Sequence, residues 1–396
     1  MRWLFCDPKN QQECRRRQQV LEQVDNWWRA FREHHGAIAQ TFRQRQSEFD
    51  VPRWMQEHLQ VIDDRLCWEF GPGTSGGGHR LVITPESEHW LRPLVRTILD
   101  RAPQLRSWEF FSYRLAEEAQ QAIATVEGRV GLDVTGAVVE ARIGDCRKVD
   151  VCFHFPADLR ADDQEARCAA FVATESLVGE EILDHWIGCI DVGPPAARKS
   201  KPDCRLLSLD RVGPTVDALI GSLVEQLPCD PTWKYIENAS WSGVELHPNE
   251  GESDYCARDD LFVAISGRLD VFEAAHGGGI FTSVCHSRCG ETFCYLKIDG
   301  AGGLEHSQFH DRAEIEEAIN SALIRDEAGC CFGGGTGLRY SYVDLALTDL
   351  PRGTEIVRRV LLGGGIPKRT WIQFFDDELS HEWISVHGDA PEPPMG

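Results

Sequence analysis

A cluster of glycines near the C-terminal end has residue types that could hold a phosphate or another anion. Glycine-rich turns let backbone N–H groups approach a phosphate closely. Two residues beyond the cluster, Arg339 could clamp an anion, and Asp344 could act as a base or a metal ligand. The candidate ligand-binding residues are Gly333, Gly334, Gly335, Thr336, Gly337, Arg339 and Asp344. They would serve a nucleotide- or small-anion-binding enzyme that uses the Gly333–Arg339 loop.

The GGGTG core of this cluster resembles the glycine motif of the tubulin-like GTPases over five residues. In that family the glycines open a helix, whose N-terminus holds the phosphates. Here residues 338–347 alternate and are rich in aromatic and β-branched types, which predicts a strand. The pattern therefore favours a tight turn that enters a core strand. The glycines of residues 71–78 are likewise predicted to form a hairpin loop, since a strand follows them.

A group of cysteines and histidines has the residue types of a zinc site. Zinc takes four nitrogen or sulfur ligands in tetrahedral geometry. The two histidines have the i, i+4 spacing of a helix, but the general base of an HExxH motif is absent, and the first cysteines are spaced CxxxC. Buried thiols are favoured, so the predicted cofactor is none, with a zinc-stabilised module as an alternative. The candidate ligands are Cys285, Cys289, Cys294, His306 and His310.

A third constellation lies on one predicted strand. Alternation places Asp150, Cys152 and His154 on a common face. A thiol beside an imidazole could form an activated thiolate. The outer face of a sheet is the favoured interpretation, and no catalytic residue is assigned.

The N-terminal residues 11–65 are predicted to be helical, with breaks at Gly36 and Pro52. Trp27 and Trp28 are adjacent, so their rings point in different directions from a helix. One of them is therefore expected near a domain or partner surface, and the helices could support an oligomer. The candidate interface residues are Trp27, Trp28 and Phe31.

Composition limits the kind of protein. The chain has 396 residues, 42% of them hydrophobic and 26% charged, which is typical of globular domains and argues against disorder. The formal net charge of −22 disfavours general binding to nucleic acids or anionic membranes. The 15 cysteines and the polar N-terminus predict reduced thiols and a cytoplasmic location.

The order of predicted elements indicates an α+β fold. Two related α/β-sandwich-like halves are expected, with antiparallel or mixed sheets and helices on one face, because a helix precedes a Trp-led strand at both residues 108–111 and 370–375. The predicted domains are an N-terminal helical arm (1–66), a first α+β domain (67–195), a linker with a helix and an uncertain strand (196–257), and a second α+β domain (258–396).

No complete catalytic set appears in the sequence. We therefore expect a non-enzymatic, cytoplasmic binding protein of bacterial type that acts through protein–protein contacts. Its acidic charge favours a regulatory or immunity-like role against a basic protein target. The enzyme and the zinc-stabilised module remain the alternatives.

Overall fold

The computed structural model describes residues 1–43, 49–144, 146–156, 162–194, 206–304 and 306–395. Within these residues the chain is α+β with antiparallel and mixed sheets, which confirms the predicted fold class. Two compact units are formed. The first comprises Met1–Leu81, Pro85–Phe110 and Pro228–Gly396, and the second comprises Val82–Thr84 and Phe111–Leu227.

The helices are α1 (Gln11–Arg43), α2 (Val51–His58), α3 (Arg92–Asp100), α4 (Ala119–Val130), α5 (Asp163–Val178), α6 (Glu180–Trp186), α7 (Leu209–Gln226), α8 (Leu269–His276), α9 (Arg312–Arg325) and α10 (Leu350–Gly363). The strands up to residue 208 are β1 (Cys67–Pro72), β2 (His79–Thr84), β3 (Trp108–Phe111), β4 (Val138–Ile143), β5 (Val149–His154), β6 (Ile187–Val192) and β7 (Leu207–Ser208). The later strands are β8 (Ser242–Glu245), β9 (Leu261–Ser266), β10 (Thr292–Asp299), β11 (Gly329–Gly337), β12 (Tyr340–Leu347), β13 (Thr370–Phe374) and β14 (Trp383–Ser385).

An aromatic cluster holds the N-terminal helices in place within the first unit. Trp27 packs against Trp54 of α2, with ring centroids 5.2 Å apart, while Trp28 donates its indole N–H to the carbonyl oxygen of Ile98 at 2.7 Å. Phe31 contacts Trp108 of β3 at 5.0 Å. The two tryptophans point in different directions, as expected, but a different part of the unit covers each ring. The three candidate interface residues are therefore buried in a core.

A seven-stranded sheet forms the larger part of the first unit. Its order is β14-β13-β10-β12-β11-β9-β8, and neighbouring strands are antiparallel. Helices α9 and α10 contribute to the apolar core on one face. The other face is aromatic, because alternate residues of β10, β12 and β13 place tyrosine and tryptophan rings there.

The second unit is built on a four-stranded mixed sheet of order β6-β5-β4-β7. Strands β5 and β6 are parallel, whereas β4 is antiparallel to both β5 and β7. Helices α4, α5 and α7 share its core. Inside this unit the buried Glu175 carboxylate pairs with Arg114 at 2.8 Å and with Arg129 at 2.6 Å, so its charge is compensated.

Several predicted elements differ from the structure. Helix α1 runs through Gly36, because that glycine is on the exposed side of the helix, where a missing side chain leaves no gap in the core. Residues 279–286 are not a hairpin strand but contain the 3₁₀ turn Ser283–Cys285. The uncertain strand near residues 233–237 consists of two 3₁₀ turns. The ambiguous stretch after residue 258 divides into β9 and α8 at the weak position, Gly267.

The predicted domain boundaries at residues 66, 195 and 257 do not coincide with the two units, since the first unit includes both N-terminal and C-terminal residues. The centre of the predicted linker, residues 195–205, lies outside the described residues. The helix–Trp–strand order does recur locally as α3–β3 and α10–β13. However, β3 ends a three-stranded sheet, while β13 is an inner strand of the seven-stranded sheet. Among the described helices, none has the length and apolar character needed to cross a lipid bilayer.

The glycines of β11 are expected to be needed for packing rather than for ligand binding. A Cβ atom on Gly335 would lie 2.7 Å from the carbonyl oxygen of Val263 and would also clash with Leu261. Gly335→Ala should therefore destabilise the first unit by about 1–3 kcal/mol. Gly243→Ala on β8 is the matched control, because its Cβ meets no atom within 4 Å.

Urea denaturation followed by tryptophan fluorescence measures the effect, since all tryptophans except Trp186 belong to the first unit. Equal midpoints for Gly335→Ala and Gly243→Ala would contradict the packing role of the glycine strand.

Candidate functional site

Asp344 lies at the centre of the aromatic face of the seven-stranded sheet. Its side chain is fully buried and pairs with the buried Arg258, with Nη1 and Oδ1 3.0 Å apart. Burial raises the pKa of Asp344, while the Arg258 guanidinium opposes this effect. The carboxylate is thus occupied by an internal ion pair and does not line an open cleft as a base or metal ligand.

The guanidinium of Arg258 lies in a box of aromatic rings. Its Cζ is 5.3 Å from the ring centroids of Tyr342 and Phe375, and 5.4 Å from that of Tyr295. Ring faces attract cations, and this attraction grows when water is excluded. Aromatic rings and one carboxylate therefore replace water around this buried charge. The amino-acid sequence does not single out Arg258, since nothing near it in the chain indicates a buried cation.

Arg339 belongs to a different network at the start of β12. It pairs with Asp299 at 3.0 Å and donates to the carbonyl oxygen of Ser253 at 2.6 Å. Asp299 also pairs with Arg369 at 2.9 Å, and Arg369 in turn donates to Asp254 at 2.6 Å. Alternating charges of this kind hold the loops at this edge together, so Arg339 is engaged as a structural cation.

Next to this network a lysine is buried without a carboxylate in direct contact. The Lys297 ammonium donates to the carbonyl oxygen of Tyr255 at 2.5 Å and lies 4.3 Å from the ring centroid of Tyr340. Burial lowers its pKa to about 8, although Asp260 and Asp254 act in the opposite direction. A lysine with such a pKa can act as a nucleophile when a substrate reaches it. Here its side chain is enclosed, with no exposed surface.

The glycine cluster does not form a loop. Residues 329–337 are strand β11, which lies between β12 and β9. The predicted strand at residues 338–347 is confirmed as β12, but the predicted turn before it is wrong, because β11 extends through the glycines. Tyr340 and Tyr342 fill the space beside them. The structure therefore does not bring the glycines, Arg339 and Asp344 together around a ligand cavity.

The candidate metal ligands are dispersed. Cys294 is buried in β10 on the helix-covered face, while Cys285 is in the 3₁₀ turn. The Cys289 thiol donates to the carbonyl oxygen of Cys229 at 3.0 Å, and His310 contacts Glu314 at 3.0 Å. His306 lines a separate small cavity with loop residues. Across the described residues, no group of three or more His, Cys, Asp or Glu side chains has the arrangement of a metal site.

Cys152 and His154 do share the outer face of the second unit's sheet. The imidazole Nδ1 of His154 contacts the carbonyl oxygen of Pro194 at 2.7 Å, and its Nε2 faces Glu140 at 3.4 Å. Burial raises the pKa of the Cys152 thiol, and the carboxylates of Asp191 and Glu140 add to the shift. An activated thiolate requires the opposite shift. These surroundings favour the neutral form of the Cys152 thiol.

The exposed surface of strands β8 and β9 is more distinctive than any of these clusters. Val263 and Ile265 lie on the same face of the sheet as the apolar core that α9 and α10 form with β10, β12 and β13. They are nevertheless 39% and 41% exposed. Trp241, directly before β8, is 47% exposed and packs beside Gly267. Alternation along β8 places Trp241 on the same side as Gly243, which pairs with Ile265. We call Trp241, Val263 and Ile265, with the strands that carry them, the β8–β9 face.

A carboxylate and an ion pair border this face. Glu245 on β8 is exposed and pairs in register with Val263. On the other side, the Arg312–Glu316 pair of α9 lies over Gly334, whose strand neighbour is Ile265. Burial raises the pKa of Glu316 to about 7, and Asp344 adds to the shift against the effect of Arg312. The β8–β9 face is thus an apolar surface bordered by the Glu245 carboxylate on one side and by the Arg312–Glu316 ion pair on the other.

Comparisons of the chain with protein-family models, curated proteins and solved structures found no match. Local geometry and charge are therefore the grounds for assigning a function to the β8–β9 face.

The Arg258–Asp344 pair is expected to behave as a coupled unit. Arg258→Met leaves the Asp344 carboxylate buried without its cation, and it should destabilise the first unit by about 3–5 kcal/mol. The double variant Arg258→Met/Asp344→Leu removes both charges and should recover most of that loss. Urea denaturation gives the coupling energy. If the effects of Arg258→Met and Asp344→Leu measured singly add up to that of the double variant, the two ions do not interact.

The raised pKa of Glu316 predicts a pH-dependent stability difference. Below pH 4.5 the carboxyl is protonated in both states, and between 4.5 and about 7 the unfolded chain ionises first, so stability is lost as pH rises. Glu316→Gln cannot ionise. Its stability relative to the natural chain should rise by about 1–3 kcal/mol across this range and stay constant above it.

Glu317→Gln is the control for this measurement, because Glu317 is exposed on the same helix. Unfolding midpoints from pH 4 to 9 provide the comparison. Parallel curves for Glu316→Gln and Glu317→Gln would contradict the assignment.

Proposed function

We propose that this chain is a non-enzymatic, cytoplasmic binding protein that takes a basic protein partner on its β8–β9 face. The observation that carries the proposal is the exposure of Trp241, Val263 and Ile265 together at the end of a sheet whose remaining face is covered by helices. Large apolar side chains grouped in this way mark interaction surfaces in folded proteins. Tryptophan is also enriched among residues that dominate binding energy.

The position of β8 supports a polypeptide as the bound partner. Strand β8 is the last strand of its sheet, so within the described residues its outer backbone groups have no strand partner. An extended segment can add to such an edge through main-chain hydrogen bonds, while its side chains contact the adjacent face. The exposed Gly243 leaves room for a close approach.

Charge supports a basic partner. Glu245 borders the apolar residues, the Glu316 carboxyl on the other side is paired with Arg312, and the whole chain carries a net charge of −22. Opposite charge increases the rate of encounter and selects against acidic competitors. A regulatory or immunity-like protein that neutralises a basic target fits this arrangement.

The side chains that were candidates for catalysis already have partners within the protein, and this favours binding over catalysis. Asp344 and Arg339 are held in internal ion pairs, and the surroundings of Cys152 raise its thiol pKa. The cysteines of the described residues are free thiols, which agrees with a reducing compartment. An oligomer formed through the N-terminal helices receives less support, since their aromatic residues are used within the unit.

Affinity capture from an extract of the source cells tests the proposal. The natural chain and Ile265→Lys are compared by quantitative mass spectrometry, because a lysine on the β8–β9 face repels a basic partner and disrupts apolar contact. We expect at least one protein to be depleted tenfold or more by the substitution. The purified partner should then bind the natural chain directly, with affinity that falls as salt rises.

Phe171→Lys is the matched control. Phe171 is an apolar residue of α5 with 48% exposure, comparable to Ile265, but it belongs to the second unit. This variant should retain the partner. If the natural chain and Ile265→Lys capture the same proteins in equal amounts, the proposed function is wrong.

A further inference from the structure

A cleft in the first unit has a different chemical character from the β8–β9 face. Its walls are the segment before α1, the C-terminal half of α10, and β14 with the residues that follow it. It encloses about 470 Å³, which is within the usual range of small-molecule sites, about 300–1,000 Å³. We call it the N-terminal cleft.

The walls of the N-terminal cleft are held rigidly. Arg2 is buried and donates from Nε to Glu13 at 2.8 Å and from Nη1 to the carbonyl oxygen of Trp383 at 3.0 Å. Glu382 accepts the backbone N–H groups of Leu4 at 3.0 Å and Phe5 at 3.1 Å. The segment before α1 is therefore tied both to that helix and to β14, so the cleft is formed before any ligand binds.

Two cations on the walls have unused capacity. Lys9 is exposed, and within the described residues its ammonium makes no hydrogen bond or ion pair. The Arg358 guanidinium has only long contacts, at 3.5 Å to the carbonyl oxygen of Val386 and 4.0 Å to Glu355. Asp7 is the only carboxylate among the residues that line the cleft. It already accepts a hydrogen bond from the Lys9 backbone N–H at 2.9 Å.

The N-terminal cleft also has an apolar part. Phe5 is stacked on Phe374 with ring centroids 5.0 Å apart, which fixes its position. Leu362 is 46% exposed at the cleft, and Ile384 lies on the β14 side. Apolar side chains beside a few charged groups are a usual feature of small-molecule sites.

From this combination we infer that the N-terminal cleft binds a small amphipathic organic anion, with the charged group at Lys9 and Arg358 and the apolar body against Phe5, Leu362 and Ile384. A positively charged cleft is unusual for a chain with a net charge of −22, because the general field of the protein repels anions. The inference does not depend on the proposed function, since none of these residues belongs to the β8–β9 face.

Binding of the fluorescent probe 8-anilinonaphthalene-1-sulfonate tests whether the N-terminal cleft takes an amphipathic anion, because the probe combines a sulfonate with aromatic rings. The natural chain should bind one equivalent with increased emission. Arg358→Ala should raise the dissociation constant about fivefold, and Lys9→Ala/Arg358→Ala should raise it tenfold or more. Leu362→Glu places an anion at the exposed edge of the cleft and should abolish binding.

Arg359→Ala is the matched control, since it removes the same charge from an exposed neighbour on α10 that is not part of the lining. It should change the dissociation constant less than twofold, as should Ile265→Lys on the β8–β9 face. Circular dichroism verifies that each variant is folded. Equal losses for Arg358→Ala and Arg359→Ala, or loss only with Ile265→Lys, would overturn the inference.

Discussion

The close approach of two buried carboxylates to strand β11 is the constraint on which the first unit depends. The Asp260 carboxylate accepts the backbone N–H groups of Arg339 and Tyr340, each at 2.8 Å, and so shapes the connection from β11 to β12. A side chain on Gly337 would occupy the position of this carboxylate. A side chain on Gly333 would lie 3.0 Å from Oδ2 of Asp344. The glycines therefore provide space for charge inside a sheet, which is a different task from holding a phosphate.

The same missing side chains explain why the β8–β9 face is open. On the helix side of the sheet, Gly334 leaves a space that the Arg312 and Glu316 side chains of α9 fill. Helix α9 is thereby positioned over β11 rather than over the next strand. Val263 and Ile265 of β9 consequently lie beyond its cover. The exposed apolar surface is thus a consequence of how the polar side chains of α9 are packed over β11.

Local patterns in the sequence predict much of the fold, and long-range partners account for what they miss. Alternation identifies β12 and the Trp-led strands because each contains its own periodicity. The sequence of β11 does not indicate a strand, because glycine has a low strand preference. The glycines leave space for Asp260, which is about 75 residues away in the chain. The local sequence likewise does not predict that Arg258 and Lys297 are buried. A buried cation is recognised only when the rings and carboxylates around it have been brought together by folding.

The two candidate binding regions of the first unit share no residue and differ in their charged groups. The β8–β9 face is bordered by the Glu245 carboxylate and by the Arg312–Glu316 ion pair, in which the arginine compensates the carboxylate. The N-terminal cleft has Lys9 and Arg358 at its polar end, so a basic polypeptide segment is repelled there. Because the two proposed ligands contact different residues, they do not compete for the same side chains. The glycine strand and the tied N-terminal segment make both regions preformed, which lowers the entropy lost when either ligand binds.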